Sequence, residues 1–237
     1  PPGADFFFGT IAPMIKALLF DFDGLVLDTE TPEYLAWQNV YADFNQTLTL
    51  EDWGQIVGGT AASDFHPVSH LEALTGRSLA DFGLEARVLA ESMRTILAAK
   101  PRPGVLETLE TAQRLGLRLA VASSSPHSWV DGHLQRLGLF DYFETVQCRE
   151  DVARTKPEPE LFLAAKTKLG VEASQSLVFE DSPNGVLAAN RAGMRVVAIP
   201  NPVTQSLPFP PASLRLKEMS DLPLEELLQR LSTPTVE

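Results

Sequence analysis

Residues 20–24 read Phe20-Asp21-Phe22-Asp23-Gly24, directly after the apolar run 15–20 and directly before Leu25-Val26-Leu27-Asp28-Thr29. A short apolar run that ends in two carboxylates and a glycine makes a poor core and a good site. On an extended chain the side chains at i and i+2 share a face, so Asp21 and Asp23 are expected to converge while Phe20 and Phe22 pack behind them. Two like charges held that close are costly unless a cation or a shared proton relieves them. One remedy is a hard divalent cation held by a carboxylate, a backbone carbonyl and waters, the Mg²⁺ pattern. The other is a carboxyl kept partly protonated, which can act as a general acid. Taken alone, Asp-x-Asp also suits a strand end whose aspartates cap a turn.

Working outward, the rhythm changes after Glu30, and about seventy residues read as helical. Tyr34, Trp37, Val40, Tyr41 and Phe44 recur at threes and fours on a helix starting near Pro32, a residue tolerated in a first turn. This aromatic stripe reads as buried packing rather than a stacking platform. Thr49 with Asp52 resembles a capping box and opens a second helix over 50–57, which Gly58-Gly59-Thr60 breaks. Two more helices are expected over 63–74 and 84–99.

From Pro101-Arg102-Pro103-Gly104 onward, helices and apolar strands alternate. Strands are expected over 117–122, 144–147, 176–179 and 195–199, and helices over 105–115, 126–137, 158–169, 183–192 and 222–231. Such alternation implies right-handed crossovers and a parallel sheet. The proline-rich stretch 200–211 reads as an ordered surface loop. Asp21, Asp23, Ser123, Glu180 and Asp181 each follow an apolar strand, and Lys156 lies in a loop leading into a helix. In an open parallel sheet the carboxyl ends of the strands share one edge, so these groups gather at one crevice. Each alone has an ordinary explanation, Ser123 and Asp181 as helix caps and Lys156 as a solvated lysine. Independent caps do not account for their joint placement.

Composition narrows the partners. The chain has 237 residues, 44% hydrophobic and 21% charged, with formal net charge −12 and no dense basic run. That gives ample core for a large domain or two modest ones, with no footprint for nucleic acid. The single cysteine, Cys148, has no disulfide partner within the chain and reads as a packed apolar residue in a reducing, cytoplasmic compartment. No run reaches the length of a membrane helix. Residues 1–13 look foreign to the fold and are read as a leader or tag, with Met14 opening the first strand.

Four pieces now carry a resemblance. Asp21-Phe22-Asp23-Gly24-Leu25-Val26-Leu27-Asp28-Thr29-Glu30, the serine after 119–122, Lys156-Pro157-Glu158-Pro159, and Phe179-Glu180-Asp181-Ser182-Pro183-Asn184-Gly185 resemble the four ordered motifs of the haloacid dehalogenase-like (HAD) hydrolases. They are most similar to the helical-cap branch, which contains beta-phosphoglucomutase and the sugar-phosphate and phosphoglycolate phosphatases. The resemblance implies a Rossmann-like doubly wound α/β core over 14–30 and 101–237, with an all-helical cap inserted over 31–100.

It further implies a Mg²⁺-dependent phosphatase acting on a small phosphorylated metabolite, as a monomer or weak dimer. Asp21 would be the nucleophile that becomes an aspartyl phosphate, and Asp23 the general acid and base. Asp21, Asp181 and the main-chain carbonyl of Asp23 would hold Mg²⁺, with Glu180 as a further ligand or outer partner. Ser123, beside Ser124, would bind phosphoryl oxygens, Lys156 would neutralise charge, and Gly24 would leave room for the phosphate. Where beta-phosphoglucomutases carry a cap histidine this chain has Glu33, and where they commonly have a lysine it has Pro126. Both differences weaken the alternative of a sugar phosphomutase. Glu33 reads equally as a substrate contact or a first-turn acid favoured by the helix dipole. A true dehalogenase lacks the second aspartate and the metal, a signalling receiver lacks the helical insert, and a non-catalytic module would not keep the whole set.

Overall fold

The structure is a computed structural model that describes residues 14–54 and 65–232. Its centre is β1 (Ala17–Phe20), buried along its whole length because it is paired on both sides. Parallel partners are β2 (Arg118–Ala122) on one edge and β4 (Ser176–Glu180) on the other, with Phe20 level with Val121 and Phe179. The sheet continues through β3 (Thr145–Gln147) beside β2, and through β5 (Arg195–Ala198) and β6 (Leu214–Arg215) beyond β4. Its order is β3-β2-β1-β4-β5-β6, all parallel. The chain reverses its direction of travel across the sheet between β1 and β4, where a crevice opens at the carboxyl ends.

Alternation along the strands explains why they read as unbroken apolar runs. Leu18, Phe20, Leu119, Val121, Leu177 and Phe179 face one core layer, while Ala17, Leu19, Ala120, Ala122, Val178 and Val196 face the other. The first layer is covered by α5 (Val105–Arg114), α6 (His127–Leu137) and α9 (Leu224–Ser232). The second is covered by α7 (Glu160–Leu169) and α8 (Pro183–Arg191). Phe20 stacks on Phe179 with ring centroids 5.0 Å apart, just beneath the crevice.

Between β1 and α5 lie four α-helices among the described residues, α1 (Glu30–Asp43), α2 (Leu50–Trp53), α3 (Pro67–Thr75) and α4 (Leu84–Ala98), with a 3-10 turn at Ala80–Phe82. They enclose a hydrophobic cluster of their own that includes Trp37, Val40, Tyr41, Trp53, Leu71 and Val88. The aromatic stripe is therefore core, as its spacing implies. The capping box is present, with Asp52 N–H donating to Thr49 Oγ1 at 3.1 Å. The helix expected from residue 63 begins at Pro67, and residues 55–64, with the Gly-Gly break, lie outside the described residues, as do 1–13.

Two expectations need correction. The stretch 200–211 is not simply a surface loop, because Asn201, Val203 and Thr204 are buried. Asn201 Oδ1 accepts from the backbone N–H groups of Val203 and Thr204 at 2.9 and 3.0 Å, which satisfies a tight turn inside the protein. The two-residue β6 was also missed, being too short for any periodicity to show.

Candidate active site

β1 ends at Phe20, and Asp21 N–H still donates to Phe179 O at 3.0 Å before the chain leaves the sheet. The chain turns back over 22–27, where Gly24 N–H donates to Leu27 O at 2.7 Å and Val26 N–H to Phe22 O at 2.9 Å. Asp21 and Asp23 consequently reach different partners. The expected remedies for their repulsion are a cation or a shared proton; here each carboxylate has its own donors, while the charge of Asp23 still adds to the rise at Asp21.

Asp21 lies against Lys156, whose Nζ donates to Asp21 Oδ1 and, at 2.7 Å, to Glu180 Oε1. All three side chains are buried. The other oxygen of Glu180 accepts from the N–H groups of Asp181 and Ser182 at 3.0 and 3.1 Å and from Ser182 Oγ at 3.1 Å. Ser182 Oγ in turn accepts from Gly185 N–H at 3.1 Å as the N-cap of α8. Gly185 is required here, because a Cβ would lie 1.8 Å from the Glu180 carboxylate. Burial pushes the Asp21 carboxyl up to about 7 against the pull of Lys156, with Glu180 adding to the rise. Burial lowers the affinity of Lys156 for its proton, but Asp21 and Glu180 together outweigh it and keep the ammonium charged.

Asp23 is held from three sides. Thr29 Oγ1 and Trp129 Nε1 donate to Oδ1 at 2.9 and 2.8 Å, and Ser125 Oγ donates to Oδ2 at 2.6 Å, with Ser123 Oγ at 3.4 Å. Thr29 precedes α1 without capping it, its hydroxyl being engaged by Asp23, and Asp28 Oδ1 accepts from Thr31 N–H instead. Ser123 Oγ accepts from Ser125 N–H at 3.0 Å, and the buried Ser124 Oγ has no hydrogen-bond partner.

Asp181, the residue after β4, receives Asn201 Nδ2 on Oδ2 at 2.7 Å, while its buried Oδ1 has no partner. Asn201 Nδ2 also reaches Glu30 Oε2 at 2.6 Å. Burial pushes Glu30 up to about 8 and holds Asp181 above the usual carboxylate range, with Glu30 and Asp21 adding to the latter. Carboxylate oxygens of Asp21, Glu180 and Asp181 lie within 4.8 Å of one another. Two of these buried acids, Asp21 and Glu180, share one lysine, and an oxygen of the third, Asp181, is orphaned. This donor set fits a hard divalent cation. Gly24, at φ +78°, closes the same cradle: a Cβ there would meet Asp181 Oδ2 at 2.2 Å.

The structure thus brings together Asp21, Asp23, Gly24, Ser123, Lys156, Glu180 and Asp181. Glu33 stands apart from the acidic cluster, on the wall of a cavity of about 610 Å³ that runs from Asp23 to α3 and α4. Burial and the charge of Asp23 raise its carboxyl. Sequence reasoning missed Ser125, Trp129, Asn201 and Arg102. Arg102, at the return from α4 to α5, donates through Nη1 to the carbonyls of Gly24 and Ile199, pinning the aspartate loop to the end of β5. The tripled serine 123–125 was the one available signal for Ser125; the other three depend on loop paths and helix faces.

A profile of haloacid dehalogenase-like hydrolases matches residues 18–199. YhcW of Bacillus subtilis (strain 168), named as a candidate phosphatase, is 44% identical over 220 residues, covering 93% of this chain and 99% of the relative. A phosphorylated carbohydrates phosphatase from Thermotoga maritima is 34% identical over 182 residues, covering 76% and 82%. A crystal structure described as a candidate beta-phosphoglucomutase, also from Thermotoga maritima, superposes with a TM-score of 0.68 at 27% identity, covering 87% of this chain and 96% of that one. With a family match of this extent and such identity over nearly its whole length, the chain belongs to the haloacid dehalogenase-like hydrolases.

Proposed function

We propose that the chain is a phosphoric monoester hydrolase that works through an aspartyl phosphate and requires Mg²⁺. The observation that carries this reading is the pairing of a buried carboxylate against a buried lysine at the sheet edge, beside a second aspartate held by neutral donors. Asp21 attacks the phosphorus in line, and the bond to the leaving oxygen breaks as Asp23 delivers a proton to it. Asp23 then takes a proton from water, which attacks the acyl phosphate and releases inorganic phosphate with Asp21 restored. Thr29 and Trp129 on Oδ1 and Ser125 on Oδ2 fix the orientation of the Asp23 carboxylate. Ser123 and Ser124 bind phosphoryl oxygens, the unpartnered Ser124 hydroxyl being available for one. Lys156 favours the ionised form of Asp21 against its burial and offsets charge on the phosphate.

Mg²⁺, held by Asp21, Asp181 and the Asp23 carbonyl with Glu180 as ligand or outer partner, would screen the nucleophile from its anionic target. Helices α1 to α4 form the cap that closes over the crevice and keeps bulk water from the intermediate. The domain boundaries proposed for it are residues 31 and 100. A sugar phosphomutase is the rival reading, motivated by the Thermotoga structure. That reaction must hold a second phosphate, and the described residues lining the cavity include no lysine or arginine.

The test is phosphate release from a panel of phosphorylated metabolites with Mg²⁺, scored by kcat/KM, alongside Asp21→Asn. Release by the parent protein and none by a folded Asp21→Asn is expected. Turnover of Asp21→Asn within a few-fold of the parent removes Asp21 as nucleophile.

A further inference from the structure

The cavity next to Asp23 has room for a small alcohol, about 610 Å³, and its walls state what charge that alcohol carries. Its titratable lining among the described residues is Asp23, Glu30, Glu33, Glu85 and His66. Residues 55–64 contain no lysine or arginine in their sequence either. Lys156, the cation of the site, is buried on the core side and shared between Asp21 and Glu180.

Among the described residues, the neutral hydroxyl donors named on the wall are already engaged. Thr29 and Ser125 donate to Asp23, and Ser92 Oγ donates to the Val88 carbonyl at 2.9 Å. The rest of the described wall is carboxylate, aromatic and aliphatic surface with the single imidazole of His66. Glu33 has no hydrogen-bond or ion-pair partner among the described residues, while Glu85 meets only the partly exposed His66, at 3.2 Å. Trp37, Trp53, Phe65 and Trp129 supply aromatic walls, whose faces attract cations and repel anions. Trp53 is 2% exposed, and its Nε1–H has no acceptor, so it lacks one that a substrate oxygen would provide.

Resting on the phosphatase reading above, we propose that the substrate is the phosphate monoester of an amino alcohol: one phosphate, a protonated amine that Glu33 receives across the cavity, and no second anion. A carboxylate or second phosphate in that place would face Glu33 and Glu85 without a counter-charge. A neutral polyol would hydrogen-bond to the same carboxylates without offsetting their charge.

Two matched series separate the charge from the shape. Ethanolamine phosphate, 2-hydroxyethyl phosphate and 2-phosphoglycolate share a two-carbon frame; glucosamine 6-phosphate, glucose 6-phosphate and 6-phosphogluconate share a six-carbon one. The expected order of kcat/KM in at least one series is amine, hydroxyl, carboxylate, with the amine favoured over the hydroxyl by about tenfold, as for a charge-assisted contact. Glu33→Gln should collapse that ratio towards one, and Glu33→Lys should invert the order of amine and carboxylate. A hydroxyl or carboxylate compound equal to its amine in both series overturns the proposal, as does an amine preference unchanged in Glu33→Gln. If no compound, p-nitrophenyl phosphate included, releases phosphate with Mg²⁺ present, the phosphatase reading fails first and this one with it. Hydrolysis of p-nitrophenyl phosphate without the charge order defeats this one alone.

Discussion

Asp23 accepts from a threonine, a serine and an indole, three neutral donors that fix its carboxylate at the cavity wall. Asn at this position would turn an amide N–H toward one of those donors and could not cycle a proton. Asp23→Asn is therefore expected to lower kcat by about 10²- to 10⁴-fold. With p-nitrophenyl phosphate, whose leaving group needs no acid, a burst close to one product per protein should precede the slow phase. A steady-state rate equal to the parent's would remove Asp23 from both steps. Lys156 differs, because it is buried between two carboxylates. Lys156→Met leaves them without counter-charge, and loss of one partner from a buried ion pair costs about 3–5 kcal/mol. Urea denaturation in chelator at neutral pH measures this, and an unchanged midpoint would show the pair to be dispensable for stability. The sequence made Asp21, Asp23, Lys156, Glu180 and Asp181 legible because each occupies a strand end or a loop that only a shared rim explains. It hid which donors each aspartate takes, since the turn over 22–27 decides that Asp21 meets Lys156 while Asp23 meets Thr29, Ser125 and Trp129.

At the scale of elements, strands and helices were readable wherever both sheet faces or one helix face demanded a period. The unread pieces were those whose role comes from another element. Asn201 is one residue of a proline-rich stretch until β5 brings it against Asp181, and Trp129 is one aromatic of α6 until that helix lies over the aspartate loop. Glu180-Asp181-Ser182-Pro183-Asn184-Gly185 is the opposite case, a strand end, helix cap and close approach in consecutive residues. Gly185→Ala drives a methyl into the Glu180 carboxylate, and overpacking of this kind costs about 1–3 kcal/mol. A parallel loss of turnover is expected as Glu180 leaves Lys156; a fully active, fully stable variant would contradict the packing.

The start of α6 carries a pH effect. Although burial opposes it, His127 is held above its ordinary value by a 2.7 Å contact to Asp151 and by Asp131 at 3.2 Å. Its folded-state value exceeds the unfolded one, so its contribution to stability is fully present below the ordinary histidine range and disappears as pH rises through the folded value. The Tm difference between the parent and His127→Gln should be largest on the acid side of the ordinary histidine range and shrink steadily as the pH is raised through and beyond it. A difference that grows with pH would reverse the assignment.

For the whole molecule, the folded chain assembles an acidic cluster that the unfolded chain does not have. Asp21 comes from β1, Glu180 and Asp181 from β4, and Lys156 from the loop before α7, so the cluster exists only when the sheet is complete. Any cation that binds it binds the native state alone and stabilises that state by mass action. At about one hundred times Kd the gain is about 2.7 kcal/mol. For a chain of this size that raises Tm by roughly 5–10 °C. Thermal unfolding in EDTA and with added Mg²⁺ reads this without any substrate, so it is independent of which alcohol the cavity takes. Asp181→Asn removes the anionic character of the orphaned oxygen and should abolish the shift, whereas Glu33→Gln, on the cavity wall, should keep it. If Mg²⁺ raises the Tm of Asp181→Asn as much as that of the parent, the cation binds somewhere other than at the rim of the sheet. The role of Asp21 would then have to be argued without it.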